Sequence, residues 1–210
     1  MVHVYLTDVS ELPDPLEYPK CMEGLSQERK EKILKYRQLK DRKQSLGAGL
    51  LLLKVLGEHN RTLDEIYYIE NGKPALDGVC FNLSHSEDLV VCAVSEKPVG
   101  IDIEKIRNVK ENLADRYFTD SEKAYLLQFE GTARNEEFIR LWTMKESYMK
   151  YTGEGMRLAL NRFEFKVDQE VQIYRDGELC DCSIKEYKVL DYKLTVCAEE
   201  AGFYDSIIKM

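Results

Sequence analysis

LVVCAV occupies residues 89–94, and a close copy, LTVCAE, occupies residues 194–199 of the 210-residue chain. Both stretches are rich in the β-branched and small apolar residues that are typical of buried strands. The second starts 105 residues after the first (194 minus 89), which is half of the chain. If the repeat is genuine, it predicts two similar α+β halves, each with one copy as a strand, and a site between them. A chance match between two core strands is the open alternative.

The segments around each copy fit that arrangement. Two consecutive helices are predicted from Ser26 to Gly57, the first basic and the second apolar, followed by β-rich runs on either side of the first copy. A capping box at Thr119–Glu122 predicts another helix through Phe129, and a further helix is predicted from Asn135 to Tyr151. We therefore expect an α+β fold with halves 1–104 and 105–210. Because no Gly-, Ser- or Pro-rich linker separates them, they should form one compact unit. We also expect the protein to be a monomer.

Composition excludes several classes of protein. The net charge of −8 argues against nucleic-acid binding, which requires a basic excess. The first residues show no signal-peptide pattern, and even the longest apolar run, Leu89–Val94, is far shorter than the ~18 residues of a membrane span. We therefore expect a cytoplasmic protein that does not enter membranes. Its six cysteines form no CxxC pair and should stay reduced.

The run VGIDIE, residues 99–104, carries two carboxylates at alternate positions of a predicted strand. Side chains alternate between the faces of a strand, so Asp102 and Glu104 share one face, roughly 6–7 Å apart. Two hard oxygen ligands on one face suit Mg²⁺ together with substrate phosphates. The simpler interpretation is a solvated edge strand, and the DxE pattern by itself favours that interpretation.

WTMKESYMK, residues 142–150, adds a third carboxylate and an amine. Residues four apart are neighbours on a helix, so Trp142, Glu146 and Lys150 lie along one ridge. A surface Glu–Lys pair would be unremarkable, but the apolar Trp142 on the same ridge indicates the edge of a buried face.

Two further motifs are weak by themselves. Ser84 and His85, in FNLSHS at residues 81–86, could bind phosphate, although a loop histidine usually has no such role. Gly72-Lys73-Pro74 is a turn that projects one amine. The chain contains no Walker loop, GxGxxG, HExxH or GxSxG pattern, which removes the common hydrolase and dinucleotide-binding classes.

Taken together, GKP, FNLSHS, VGIDIE and WTMKESYMK resemble, in order and approximate spacing, the motifs of the 4'-phosphopantetheinyl transferases. The likeness is to the larger, single-chain pseudodimeric type that activates surfactin synthetase, and it covers most of the chain. It implies two similar α+β halves with the active site between them. The implied reaction moves the phosphopantetheine arm of coenzyme A onto a serine of an apo acyl, peptidyl or polyketide carrier protein and releases 3',5'-ADP.

The resemblance also implies a metal site and catalytic residues. Asp102, Glu104 and Glu146 match the Mg²⁺ carboxylates, with Mn²⁺ as an alternative ion. Lys150 matches a lysine that faces the phosphates. Glu146, acting directly or through a water molecule, is the implied base for the serine proton.

Coenzyme A contacts are implied at six basic or hydroxyl side chains: Arg29, Lys32, Lys73, Ser84, His85 and Lys150. Arg29 and Lys32 match positions that hold the 3'-phosphate, and Lys73 falls beside the adenosine end. Gln44 departs from the pattern, because it stands where the family has an arginine, with Arg42 and Lys43 next to it.

Two other functions use the same residues. A metal-dependent hydrolase would pass the phosphoryl group from a nucleotide pyrophosphate to water and would need no carrier. A non-catalytic coenzyme-binding module would keep its binding after Asp102→Ala.

Overall fold

The computed structural model describes residues 1–69, 72–110, 112–199 and 202–210. The α-helices are α1 (Gln27–Lys35), α2 (Leu39–Glu58), α3 (Asn112–Tyr117), α4 (Asp120–Leu126) and α5 (Gly131–Thr152). The strands of the first half are β1 (Val2–Asp8), β2 (Tyr67–Tyr68), β3 (Pro74–Ala75), β4 (Cys80–Ser86), β5 (Leu89–Ser95) and β6 (Val99–Lys105). Those of the second half are β7 (Phe163–Val167), β8 (Val171–Arg175), β9 (Glu178–Leu179), β10 (Ser183–Val189), β11 (Tyr192–Ala198) and β12 (Phe203–Lys209).

Local signals set several helix boundaries. Ser26 caps α1 by accepting a hydrogen bond from the Arg29 backbone N–H. The capping box predicted at Thr119 is present, but α4 ends at Leu126 rather than at Phe129. The helix predicted from Asn135 starts four residues earlier, at Gly131, and ends at Thr152. Its C-cap is Gly153, whose φ of 71° is the left-handed conformation that glycine adopts most easily.

The two copies of the repeat occupy equivalent places in two sheets. The first sheet has the order β12-β1-β5-β4, and the second has the order β10-β11-β6. β5 and β11, which carry the copies, are inner strands that each follow an antiparallel neighbour, β4 and β10 respectively. The two copies thus occupy corresponding strands of two similar units, which favours a genuine repeat over a chance match.

The sheets and helices form four layers. The inner faces of the two sheets pack on each other through a fully buried cluster of aliphatic residues that includes Val4, Val91, Ile101 and Val196. α2 covers the outer face of the first sheet, and α5 covers the second sheet. Burial of these apolar faces drives the packing. The fold is thus α+β, as predicted.

The strands that follow each copy cross to the other half. β6 pairs with β11, and β12 pairs in parallel with β1. The predicted division at residues 104 and 105 falls at the end of one of these crossing strands and stays a prediction. No helix within the described ranges is both long and apolar enough to cross a membrane.

Candidate active site

The junction between the two sheets is built from side chains instead of a backbone ladder. Polar residues at alternate positions of β4 accept hydrogen bonds from the backbone N–H groups along the free edge of β6. The pairs are Asn82 with Ile101 (3.0 Å), Ser84 with Ile103 (3.4 Å) and Ser86 with Lys105 (3.1 Å). We call this junction the β4–β6 seam. It satisfies an edge that would otherwise leave buried N–H groups without partners.

Asp102 lies at the centre of the seam and is 5% exposed. Its Oδ1 atom accepts hydrogen bonds from Ser84 Oγ at 2.7 Å and from Lys150 Nζ at 2.6 Å. The Lys150 ammonium also donates to Ser84 Oγ at 3.0 Å and to the Ile101 carbonyl at 3.1 Å. Asp102 Oδ2, by contrast, is buried without a hydrogen-bond partner. Such an atom is rare in a folded protein, and a carboxylate oxygen in this position suits a cation.

Glu104 and Glu146 lie around this carboxylate. Glu104 accepts a hydrogen bond from Ser86 Oγ at 3.0 Å, on the same face of β6 as Asp102. Burial, and then the negative charge of Asp102, raises the pKa of both Glu104 and Glu146. The three predicted carboxylates are therefore brought close enough to repel one another.

The donor set fits a hard divalent cation. A cation would satisfy the orphaned Asp102 oxygen and relieve the repulsion from Glu104 and Glu146. Across the described ranges, however, no three His, Cys, Asp or Glu side chains stand ready as a complete metal-binding group. The described residues thus supply oxygen ligands and a negative charge that favour cation binding, but they do not form a complete coordination shell.

α5 carries Glu146 and Lys150, and its backbone lies directly on β6. A Cβ atom at Gly100 would come within 2.1 Å of the Ser147 carbonyl oxygen, so only glycine permits this approach. On the other side of α5, the fully buried Lys145 ammonium contacts Glu122 at 2.9 Å and donates to the Leu160 and Phe163 carbonyls. Contacts on both sides therefore fix the rotation of α5.

Trp142 lies on the core side of this helix. Its indole stacks with Phe138 and meets Tyr117 edge to face. WTMKESYMK is accordingly a helix with one apolar face in the core and one polar face at the seam.

A cleft of about 290 Å³ opens beside the seam, between α1, α2 and β4. Its wall includes the predicted coenzyme-binding residues Arg29, Lys32 and His85, and also Gly72 and Pro74 on either side of Lys73. Burial, and then the charge of Lys150, lowers the pKa of His85. His85 therefore lines the cleft, whereas the adjacent Ser84 belongs to the seam.

Arg29 is a partly buried cation with unused hydrogen-bonding capacity. One guanidinium nitrogen donates to the Ser45 carbonyl at 3.0 Å, but Nε is buried without a partner. Burial lowers the pKa of Arg29, and burial followed by the charge of Arg29 lowers the pKa of Lys32. A partly buried arginine beside an exposed lysine in one cleft favours an anionic ligand.

The structure separates Gln44 from its basic neighbours. Gln44 lines the cleft and donates to the Glu87 carbonyl at 2.7 Å. Arg42 instead forms a buried ion pair with Asp14 at 2.6 Å, and Lys43 donates to the Ser10 carbonyl at 2.6 Å. Neither cation lines the cleft, so neither replaces an arginine at position 44.

The remaining two predicted residues lie at the seam end of the site. Lys73 donates to the Lys150 carbonyl at 2.6 Å, which brings its loop against α5. Ser84 is 7% exposed. Its hydroxyl donates a hydrogen bond to Asp102 and accepts one from Lys150, and it does not line the cleft. The predicted residues therefore form two adjoining groups, one at the seam and one in the cleft.

Sequence reasoning missed Asn82, Ser86 and Gly100. The signal for the first two was present in FNLSHS, because polar residues at positions 82, 84 and 86 alternate with apolar ones. That pattern predicts a polar face, but not that the face caps another strand. The role of Gly100 depends on the approach of α5, for which a single glycine in a strand is a weak signal.

Similarity to known proteins agrees with this geometry. The model of the 4'-phosphopantetheinyl transferase superfamily matches residues 98–197, which include β6, α5 and most of β11. The 4'-phosphopantetheinyl transferase Sfp of Bacillus subtilis (strain 168) is 33% identical over 202 residues, covering 91% of this chain and 89% of the relative. The transferase gsp of Aneurinibacillus migulanus is 34% identical over 181 residues, covering 83% of this chain and 76% of the relative.

Solved structures of smaller synthases are more distant. The holo-[acyl-carrier-protein] synthase of Thermotoga maritima matches with a TM-score of 0.42 and 21% identity, over 48% of this chain and 61% of that one. The two transferase relatives, gsp and Sfp, cover most of the chain at 34% and 33% identity. The chain belongs to the 4'-phosphopantetheinyl transferase superfamily.

Proposed function

We propose that this protein transfers the 4'-phosphopantetheine arm of coenzyme A to a serine of an apo carrier protein and releases 3',5'-ADP. The observation that carries the proposal is Asp102. One of its oxygens is held by Lys150 and Ser84, and the other is buried and unpartnered. This half-satisfied carboxylate lies beside a cleft lined by the cations of Arg29 and Lys32, an arrangement that suits a metal-bound pyrophosphate.

The cleft is the proposed place for the nucleotide end of coenzyme A. The unpartnered Nε of Arg29 and the neighbouring Lys32 suit the 3'-phosphate. His85 lines the same cleft and would contact the phosphates, and Lys73, whose chain neighbours Gly72 and Pro74 line the cleft, would lie beside the adenosine end. Because position 44 of the cleft wall is a glutamine, Arg29 and Lys32 would hold the 3'-phosphate without a third cation from that position.

Asp102, Glu104 and Glu146 would hold Mg²⁺, with Mn²⁺ as the alternative. When bound, the ion neutralises charge on the pyrophosphate of coenzyme A. The Lys150 ammonium would stabilise the same oxygens, and its contacts with Ser84 and the Ile101 carbonyl keep it in position for that role.

The transfer forms a bond between the serine Oγ and the β-phosphorus of coenzyme A and breaks the bond from that phosphorus to 3',5'-ADP. The serine proton leaves to Glu146, directly or through a water molecule. Burial raises the pKa of Glu146, which brings this carboxylate closer to the range in which a general base is effective. A carboxylate that also contacts a metal is a weaker base, which favours the water route.

We propose further that the enzyme acts as a cytoplasmic monomer on acyl, peptidyl or polyketide carriers. Its six cysteines are all free thiols, as expected for a reducing compartment. The two halves already place residues of β4, β6 and α5 around one site, so a second copy is not needed to complete it.

Intact-mass spectrometry of an apo carrier incubated with the enzyme, coenzyme A and Mg²⁺ tests the proposal. We expect a gain of one phosphopantetheine that EDTA abolishes. Asp102→Asn keeps the shape of the side chain but removes its charge, and should reduce kcat/KM by about 10²–10³-fold. The exposed Asp168→Asn is the matched control and should retain activity.

The two competing functions give different results in the same assay. Consumption of coenzyme A with no mass gain on several carriers would support the hydrolase. Coenzyme A binding that is unchanged in Asp102→Asn, with neither transfer nor hydrolysis by the wild type, would support the binding module.

A further inference from the structure

The connection between α1 and α2 is an exposed apolar surface. Every residue in LKYRQLK, positions 34–40, is exposed, and we call this segment the α1–α2 tip. Its apolar side chains are large: Leu34 is 40%, Tyr36 38% and Leu39 45% exposed. Lysine and arginine alternate with them at positions 35, 37 and 40. Apolar residues grouped in this way usually mark a contact surface.

The tip is also the basic part of an acidic protein. Residues 26–43 contain eight basic and three acidic side chains, a net charge of +5, while the whole chain has −8. Some of this charge is neutralised, because Arg42 pairs with Asp14 and Lys40 pairs with Glu87 at 2.8 Å. Lys35 and Arg37 form no salt bridge with any residue that the structure describes.

An ion pair and a hydrogen bond, on two residues adjacent in the chain, link the tip to the reaction centre. The Glu87 carboxylate pairs with Lys40, and the Glu87 backbone carbonyl accepts a hydrogen bond from Gln44. Glu87 directly follows Ser86 in the chain. Ser86 in turn donates to the Glu104 carboxylate at 3.0 Å. Tyr36 itself lines the cleft. The tip therefore borders the site at the end where Glu104 lies.

The end of β6 extends the basic surface on the other side of Glu87. After Lys40, the charges of Lys105 and Arg107 contribute to lowering the pKa of Glu87. An Arg107 guanidinium nitrogen lies 4.0 Å from Glu104 Oε2, and the side chain is 61% exposed. The carboxylate end of the site thus lies between the exposed cations of the tip and the cations Lys105 and Arg107, of which Arg107 is exposed.

We propose that the α1–α2 tip docks an acidic, amphipathic helix of the carrier protein. The apolar side chains Leu34, Tyr36 and Leu39 would cover the apolar stripe of that helix, while Lys35 and Arg37 would face its carboxylates. Opposite charge on the two surfaces would speed the encounter and orient the carrier serine toward Glu146. The inference depends on the proposed function for the identity of the partner.

Charge reversal at the tip provides the test. Lys35→Glu/Arg37→Glu should raise KM for an acidic carrier about tenfold or more and weaken its dependence on ionic strength, because exposed charges act mainly on encounter. kcat and KM for coenzyme A should stay within about twofold, since neither residue lines the cleft. Leu39→Ser should raise KM for the carrier without changing the salt dependence.

The control changes the net charge equally on another surface. Lys188→Glu/Lys209→Glu reverses two exposed lysines on β10 and β12, and should leave KM for the carrier unchanged. An equal rise in both double variants would show a long-range charge effect and would overturn the proposal. A rise in KM for coenzyme A in Lys35→Glu/Arg37→Glu would assign the tip to the nucleotide cleft and overturn it as well.

Direct binding separates this proposal from the transfer reaction itself. Fluorescence anisotropy of a labelled apo carrier should show weaker binding by the tip variant than by the wild type, whether or not transfer is observed. Equal binding by the two proteins would exclude the tip. Sedimentation velocity addresses the other occupant, because a wild-type dimer that the tip variant abolishes would show that a second copy covers this surface.

Discussion

The raised pKa values of two glutamates in the candidate site affect the stability of the fold. Glu104 and Glu146 are half-buried near Asp102, and partial burial together with the Asp102 charge raises the pKa of both. A raised pKa means that the folded protein holds the proton more tightly than the unfolded chain does. The stability that this provides is fully present below the ordinary glutamate pKa and is lost as the pH rises through the raised value. At neutral pH these side chains therefore destabilise the metal-free fold.

Glu146→Gln should consequently stabilise the metal-free protein while it reduces transfer. We expect the midpoint of thermal unfolding at pH 7 to rise by about 2–4 °C, which corresponds to about 1 kcal/mol in a chain of this size. The difference should vanish at pH values below the ordinary glutamate pKa. Differential scanning fluorimetry at several pH values with EDTA provides the measurement, and a lower midpoint at pH 7 would contradict the explanation.

Replacing Glu122, a fully buried glutamate, by glutamine should lower the stability of the protein instead of raising it. Its carboxylate pairs with Lys145 at 2.9 Å and accepts the Phe165 backbone N–H at 2.9 Å. Glu122→Gln leaves the Lys145 charge buried without a counter-charge, which typically costs about 3–5 kcal/mol. The unfolding midpoint should fall by more than about 6 °C in the same fluorimetry experiment. A fall no larger than that of an exposed variant such as Glu170→Gln would mean that the pair is dispensable.

At the level of elements, the position of α5 on β6 is the feature on which the site depends. Gly100 lets the two backbones approach, and Lys145 holds the opposite side of the helix. The sequence predicted α5 to within a few residues, because its periodicity and its glycine stop are local signals. The strand that it covers and the distance between them are tertiary properties, and local patterns do not encode them.

Gly100→Ala should therefore displace the catalytic helix. Its Cβ would lie 2.1 Å from the Ser147 carbonyl oxygen and 2.3 Å from the Tyr151 backbone nitrogen. Overpacking of this kind costs about 1–3 kcal/mol, and a shift of roughly 1 Å in catalytic groups can reduce the rate about 10²-fold. Steady-state kinetics and thermal unfolding measure both effects.

A matched glycine distinguishes displacement from a general effect of alanine. Gly57, in α2, has no atom within 4 Å of the place where a Cβ would stand. Gly57→Ala should stabilise the protein by about 0.5–1 kcal/mol and leave kcat unchanged. Full activity in Gly100→Ala would show that α5 can move without harm to the site.

For the molecule as a whole, the exchange of β6 and β12 makes each half depend on the other. Residues 1–104 contain β1 and β6 without their partners β12 and β11. Each isolated half would expose both a strand edge and the aliphatic face that the sheets bury between them. The prediction of one compact unit is therefore testable with the chain cut at the proposed boundary.

Fragments 1–104 and 105–210, expressed separately, should not fold. We expect little cooperative thermal unfolding by circular dichroism for either fragment, and recovery of a cooperative transition when the two are mixed. The intact chain is the reference. A stable, cooperatively folded single fragment would show that the halves are independent domains.

Much of this architecture follows from the sequence. The repeat in β5 and β11 predicted two halves, and the alternation in VGIDIE placed Asp102 and Glu104 opposite the buried Ile101 and Ile103. The crossing of β6 and β12 could not be predicted, because strand pairing between distant segments leaves no local pattern. The use of Ser84 within the seam was missed for the same reason.

The seam also turns the reaction centre into its own reporter. Three amide protons of β6, at Ile101, Ile103 and Lys105, are held by side chains of β4 rather than by a neighbouring backbone. One of these side chains, Ser84, simultaneously donates to Asp102. Any ligand that pulls on Asp102 therefore changes how long the Ile103 proton survives in deuterated water. Isotope exchange at a single amide can thus follow occupancy of the site without a label, a coupled assay or a carrier.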